Sequence, residues 1–374
     1  MKYDYLIVGA GFFGATFARK ATDAGKTCLV IDKSSHIAGA TYDKRWDNGV
    51  IVGEYGAHIF HTQSEEVWEF INKFTTIESF INKPKVLSAN KIYSFPINLM
   101  TLHQLWGVLT PEEAFNELQK RRTPCEKPRN FEEWALDRVG RELYELFFYG
   151  YTKKQWMKEP SDLPASIIQR LPIRLTYEEN YFTTKYQGIP NEGYGKTVEN
   201  MLDGITVELG QDFFDMDNWR TIAKHLIYTG PVDKFYKYCF GELEYNTLRF
   251  EHKAMLGDYQ GNAVVNHVDL STPYIRTIEH KHFYDRRLEK HYNPKALDQN
   301  PTVVSYDIPI KFADHPEPYY PIRDERNSDI YNKYFALKEQ EKDVTFGGRL
   351  GEYKYLDIDQ TMASAMTKAK YLLN

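Results

Sequence analysis

Cysteine is scarce in this chain of 374 residues: Cys28, Cys125 and Cys239 are the whole complement. They are far apart, form no CxxC pair and match no zinc-ligand spacing. That excludes a disulfide framework and a structural zinc, and it fits a reducing compartment. Apolar runs are short, and none approaches the ~18 residues of a spanning helix, so no membrane span is expected. The N-terminus "MKYDYLIVGAG" enters a strand directly and leaves no room for a signal peptide. A cytoplasmic protein is therefore expected. Positive charge is also in short supply. Lys and Arg number 47 against 52 Asp and Glu, a formal net charge of -5, which excludes a global basic field for nucleic acid. An anionic ligand would have to be met by particular arginines. Internal repeats and low-complexity tracts are absent.

What is present is an ordinary globular composition, 42% hydrophobic and 26% charged, at a length that predicts two or three domains. Aromatic rings are abundant: 28 Tyr, 22 Phe and 6 Trp. Many belong in cores. A surplus of tyrosine nevertheless suits a cavity whose walls are apolar and still donate hydrogen bonds.

The opening "YDYLIVGAGFFGATFARKATDAGKTCLVIDK" reads as strand Tyr5–Val8, a glycine turn, helix Phe12–Ala24 stopped by Gly25, strand Thr27–Ile31, and then Asp32. Gly9, Gly11 and Gly14 make GxGxxG. The first glycine permits a tight turn, the second lets backbone approach a pyrophosphate, and the third lets helix and strand close up. The helix N-terminus would face the phosphates, and Asp32 a ribose hydroxyl. A lone GxGxxG is weak, but here strand, helix, strand and acid follow in order. They point to a dinucleotide site and leave NAD and FAD open. The next run, "SSHIAGATYDKRWDNGVIVGEYGAHIFHT", is polar and glycine-spotted where an NAD fold would normally continue with helix and strand. It suits a loop crossing back over a longer cofactor.

Farther on, Ser64 caps a helix running to Phe74, and short strands fit Lys85–Leu87 and Ile92–Phe95. Helices fit Thr101–Leu109 and, behind the Thr110 cap, Pro111–Arg121. "NFEEWALDRVGRELYELFFYGYTKKQW" supplies two more, with Leu136, Val139, Leu143, Leu146 and Phe147 at core spacing. From Ser166 to Tyr320 the segments "RLTYEENYF", "ITVELGQDF", "HLIYTGPVD" and "AVVNHVD" are strand-length and β-rich. Strand Val344–Phe346, a Gly347-Gly348 turn and a helix from Asp357 return to α/β character, and that strand is expected back in the N-terminal sheet.

"YGAHIFHT", "GYTKKQW", "LPASIIQRLPIR", "YQGIP", "YTGPVD", "GNAVVN", "YIRTIEHKHF", "YYPI" and "FGGRLGEYKYLDIDQ" occur in one order along the whole chain. In this the chain resembles the bacterial UDP-galactopyranose mutases. The resemblance implies an α/β fold with a discontinuous Rossmann-type FAD-binding domain (1–78, 190–236 and 321–374), a helical insert (98–157) and a mostly antiparallel sheet domain for substrate (79–97, 158–189 and 237–320). It implies an isomerase acting on a nucleotide sugar, with reduced FAD whose N5 attacks the anomeric carbon and displaces UDP. A reduced nicotinamide or another reductant would activate it, and a homodimer is implied. Arg170 and Arg276 match the family's diphosphate arginines. Tyr181, Tyr320 and Tyr355 match its phosphate-side phenols. Phe147 and Tyr151 match its base-binding pair, Trp156 its tryptophan beside ribose and diphosphate, and Asn266 a polar contact. His58 and Arg349 match its flavin neighbours, with Phe13, Gly39 and Gly56 also on the cofactor side. Asp357 and Gln360 form a capping box that would place a helix N-terminus against the anionic reduced flavin. A His58/His61 metal pair lacks a third ligand, and no metal is expected.

The chain departs from the family pattern in several loops. "HIAGATYD" replaces HIGGNAYT, Gly53-Glu54 a His-Lys pair, Asn246 an arginine, and Met157 a glycine. These leave open a sister activity on dTDP-fucopyranose or UDP-N-acetylgalactosamine. An FAD amine oxidase or dehydrogenase is the rival class sharing the opening fingerprint.

Overall fold

Apolar runs such as "YLIV", "CLVI" and "HLIY" are what strands buried on both faces require, and they form the centre of a parallel sheet. The structure, a computed structural model, describes residues 2–165, 173–284, 297–314 and 317–373. The sheet has five strands in the order Thr206–Leu209, Cys28–Asp32, Tyr3–Val8, Ala223–Tyr228 and Val344–Phe346, every neighbour parallel. Strands from "ITVELGQDF" and "HLIYTGPVD" thus belong to this sheet, and Val344–Phe346 returns to it as expected. The helix Phe12–Asp23 covers one face together with Ile358–Leu373. Phe17, Ala18, Ala21, Met362, Ala365 and Met366 share one buried cluster there. This is a Rossmann-like α/β architecture. Among the described residues, no helix is long and apolar enough to cross a membrane.

The second large sheet has seven strands, in the order Tyr320–Pro321, Tyr245–Leu256, Pro301–Ile310, Arg276–Glu279, Val264–His267, Lys85–Ser88 and Lys91–Ser94. All pairs are antiparallel except Val264–His267 with Lys85–Ser88. Its register sets a transverse row: Val86 is opposite Asn266, Asn266 opposite Arg276, Arg276 opposite Asp307, and Asp307 opposite Phe250. Directly opposed residues point to the same face, so this row sets Asn266, Arg276 and Asp307 side by side on one face of the sheet.

Against the Lys85–Ser88 and Lys91–Ser94 end of this sheet stand the helices Leu99–Trp106, Pro111–Arg121, Phe131–Leu143 and Gly150–Trp156, which share a buried cluster with Val86, Tyr93 and Val268. A wider π-helical turn, Tyr144–Tyr149, joins the last two. Three sequence readings need correction. The helix read as Thr101–Leu109 runs from Leu99 to Trp106, because Asn98 caps it through the Met100 and Thr101 amides and Gly107 stops it at φ 71°. The Ser64-capped helix ends at Ile71. "RLTYEENYF" forms no strand: Arg174 Nη1 donates to the carbonyls of Glu178 (3.1 Å) and Asn180 (2.5 Å), curling the segment around its own guanidinium.

Candidate active site

One cavity of about 1830 Å³ lies between the two sheets and the helices. A single drug-sized ligand usually occupies roughly 300–1,000 Å³, so this space admits two ligands side by side. Gly9, Gly11, Phe13, Gly14, Asp32 and Gly39 line one end. A Cβ on Gly14 would lie 1.9 Å from the Gly9 carbonyl oxygen, and one on Gly9 2.0 Å from Thr229 Oγ1. A Cβ on Gly11 would meet nothing within 4 Å. The turn is therefore closed on the protein side and open toward the cavity, above a helix start that carries no acidic residue in its first turn. The Asp32 carboxylate is held by the Ala10 amide (2.8 Å) and the Ser34 amide (2.9 Å), which fixes it for a further hydrogen bond. Phe13 is buried beneath Gly347, where a Cβ would strike its ring at 2.0 Å.

The "YGAHIF" loop forms the next wall. His58 is half-buried, with its open edge on the cavity. Burial and the nearby Arg349 and Arg276 charges push its pKa down to about 3, so it is neutral at neutral pH. Its carbonyl accepts from Tyr194 Oη at 3.0 Å. Gly56 lies just behind the wall at φ 96°, where a Cβ would sit 3.7 Å from Arg276 Nη2. Arg349 donates to the carbonyls of Tyr319 (3.2 Å) and Leu356 (2.9 Å). Its guanidinium lies 4.9 Å from the Tyr355 ring and 5.2 Å from that of Tyr320, two rings stacked at 5.5 Å. Leu356, Asp357, Ile358 and Gln360 bring the start of the last helix to the same space. Only half of the expected capping box is seen. Gln360 Oε1 accepts from the Asp357 amide (3.1 Å), while Asp357 Oδ2 lies 3.8 Å from His61 Nε2.

The sheet row supplies the opposite side. Arg276 donates from Nε to Asp307 Oδ2 at 2.7 Å, and its Nη2 lies 2.5 Å from the same oxygen. Burial opposes the guanidinium charge, but the Asp307 carboxylate outweighs it and raises the pKa further. Asp307 has no exposed side-chain surface, and its Oδ1 has no hydrogen-bond partner. Asn266, one strand over, also lines the cavity. Phe147, Tyr151 and Trp156 complete it from the helical side, and Tyr181 from the segment that follows. Phe147 is buried on Tyr93 at 5.3 Å. Burial raises the pKa values of Tyr151 and Tyr355, so both phenols keep their protons and can donate.

Every residue singled out from the sequence thus faces one cavity, except Gly56 behind its wall and Arg170, which lies outside the described residues. Asp307 and Thr229 were missed. The one signal for Asp307 was an acid inside the β-rich run "PTVVSYDIPI", a place strands normally avoid. Another grouping the sequence did not suggest is Asp258, Glu279 and His282, whose ligand atoms lie within 4.8 Å of one another. Lys281 Nζ stands 3.0 Å from Glu279 and 3.4 Å from Asp258, so an ammonium already sits between these two carboxylates.

Fold and cavity together define a Rossmann-like α/β protein built around a nucleotide-sized site with an arginine row facing it. The model of an NAD(P)-binding Rossmann-like domain matches residues 7–74, and that of UDP-galactopyranose mutase matches residues 146–355. A probable UDP-galactopyranose mutase of Klebsiella pneumoniae is 41% identical, over 99% of this chain and 94% of its own. The dTDP-fucopyranose mutase of Escherichia coli is 39% identical, over 99% and 98%. A solved structure of reduced UDP-galactopyranose mutase superposes with a TM-score of 0.77 at 14% identity, covering 100% of this chain and 94% of that one. A putrescine oxidase superposes at 0.60 and 12% identity, covering 100% and 99%; at such identities both likenesses speak for the fold alone. The chain belongs to the UDP-galactopyranose mutase family and is an isomerase of that type.

Proposed function

We propose that this protein interconverts UDP-galactopyranose and UDP-galactofuranose with reduced FAD as its resident cofactor. The observation that carries this reading is the shared cavity, in which the open Gly11 turn and the Arg276 row face one space. The residues fit FAD: a turn open to a pyrophosphate, an anchored acid at the ribose position, a neutral histidine, and Arg349 with a helix N-terminus where an anionic ring would lie. Reduced FAD supplies, when bound, an electron-rich N5 as nucleophile toward the anomeric carbon.

The chain's own residues do the rest. Arg276, with Arg170 by family resemblance, holds the diphosphate and accepts its growing charge as UDP departs. Tyr181, Tyr320 and Tyr355 donate to phosphate oxygens. Phe147 and Tyr151 wall the base, Trp156 covers the ribose side, and Asn266 meets the substrate beside Arg276. Asp357 and Gln360 order the helix start at the cofactor. We assign residues 1–78, 190–236 and 321–374 to the cofactor domain, with the helical insert and the antiparallel sheet closing over substrate. A reduced nicotinamide as activating reductant, and a homodimer, belong to the same proposal.

A second reading keeps the chemistry and changes the substrate to dTDP-fucopyranose or UDP-N-acetylgalactosamine. The Escherichia coli relative supports the former at nearly equal identity. The test is to incubate the flavin-loaded protein with UDP-galactofuranose and dTDP-fucofuranose, with and without dithionite, and follow ring form by chromatography. Conversion after reduction only is expected. Turnover by the oxidised form with oxygen uptake would replace the mutase by an oxidase.

A further inference from the structure

The helix Gly150–Trp156 presents two faces with different tasks. Tyr151 and Gln155, four apart, face the cavity. Gly150 and Lys154, also four apart, face the connector that runs from Asn266 to Arg276. Gly150 lies so close that a Cβ would sit 2.1 Å from the Val268 carbonyl oxygen. Lys154 Nζ donates to the carbonyls of His267 (2.9 Å), Asp269 (3.0 Å), Thr272 (3.2 Å) and Tyr274 (2.9 Å). An ammonium has only three N–H bonds, so it is shared among four acceptors of one loop, as a cation in a carbonyl cage. Burial lowers its pKa to about 8, with the Asp269 charge pulling the other way.

We propose that Lys154 is a positioning residue that fixes the distance between the nucleoside-holding helix and the strands carrying Asn266 and Arg276. The inference rests on the functional reading above, since both halves must grip one nucleotide. Base and diphosphate are covalently joined, so the two protein surfaces that hold them must keep one spacing to bind both at once. Gly150 sets how closely the helix approaches the connector, and Lys154 locks the connector's backbone to it. The loop then cannot drift without moving Arg276 at its end. A displacement on the order of 1 Å can cost a hundredfold in a positioned reaction.

The test uses flavin-loaded protein and UDP as the probe, measured by calorimetry. Lys154→Met keeps the apolar stem and removes the donors. It is expected to weaken UDP binding and lower kcat/KM by roughly ten- to a hundredfold, with flavin content close to wild type. Propylammonium should restore UDP binding to Lys154→Ala and leave wild type unchanged, because the carbonyl cage survives the truncation. Should Lys154→Met fail to fold, Gly150→Ala, which forces the helix away from Val268, should show the same loss of UDP affinity. Wild-type-like UDP affinity in Lys154→Met overturns the inference alone. So does parallel loss of affinity and thermal stability with no recovery in propylammonium. A wild-type protein that binds no UDP overturns the functional reading and takes the inference with it.

Discussion

Replacing Arg276 should do two separable kinds of damage. Arg276→Met leaves the Asp307 carboxylate, with 0% side-chain exposure, facing no cation. Breaking a buried ion pair by removing one partner costs roughly 3–5 kcal/mol. The Arg276 side chain is 23% exposed, so solvent already screens part of the pair, and the lower end applies: about 3 kcal/mol. The same change removes the charge proposed to meet the diphosphate, expected to weaken UDP binding roughly a hundredfold, ~3 kcal/mol. Adding Asp307→Leu removes the stranded carboxylate and puts apolar volume in its place. The double variant should regain stability to within about 1 kcal/mol of wild type, while UDP binding stays lost. Urea unfolding followed by tryptophan fluorescence, alongside calorimetric UDP titration, measures both. An Arg276→Met variant as stable as wild type, or a double variant that still binds UDP, would refute the reasoning.

Acid should unfold this protein earlier than its carboxylates require. Burial pushes His280 down to about 3 and His267 to about 4, both below the ordinary 6.5, so the stability they supply is present above pH 6.5 and is lost as pH falls toward those values. Each steepens the decline by up to about 1.4 kcal/mol per pH unit, opposed in part by Asp43, whose pKa burial raises to about 6. The urea midpoint should fall steadily between about pH 6.5 and 4.5, and a flat profile there would contradict the burial argument. Met157 ends the helix Gly150–Trp156 at φ 51° and is exposed, so Met157→Gly should stabilise by about 0.5–1 kcal/mol; a lower midpoint would mean its side chain has a role the structure does not show. Gly14→Ala must force helix and turn apart, and purified protein should show little flavin absorbance near 450 nm (~ order of magnitude below wild type); full flavin content would remove the cradle assignment.

Local signals were legible and non-local ones were not. Thr110 caps its helix through the Glu113 amide, and Pro111–Arg121 matches its reading residue for residue, because caps and first-turn acids act within four positions. The glycine turn and Asp32 were readable for the same reason. Asn266, Arg276 and Asp307 could be suspected singly, but only strand register shows that they stand side by side, and register is set by distant pairing. The contact between Gly150 and Val268 is of that kind too. "RLTYEENYF" misled because β propensity says nothing of an arginine that finds its acceptors a few residues ahead.

The parallel sheet also has a temporal side. Gly9 packs against Thr229, and Phe13 lies under Gly347, so segments far apart in the sequence share one wall. A nascent chain carries its glycine turn well before the strand Val344–Phe346 and the helix start beyond it are made. If the proposed flavin is bound as described above, its stable loading is expected only once translation has passed that point. Premature stops just upstream should leave colourless polypeptide rather than a weakened enzyme.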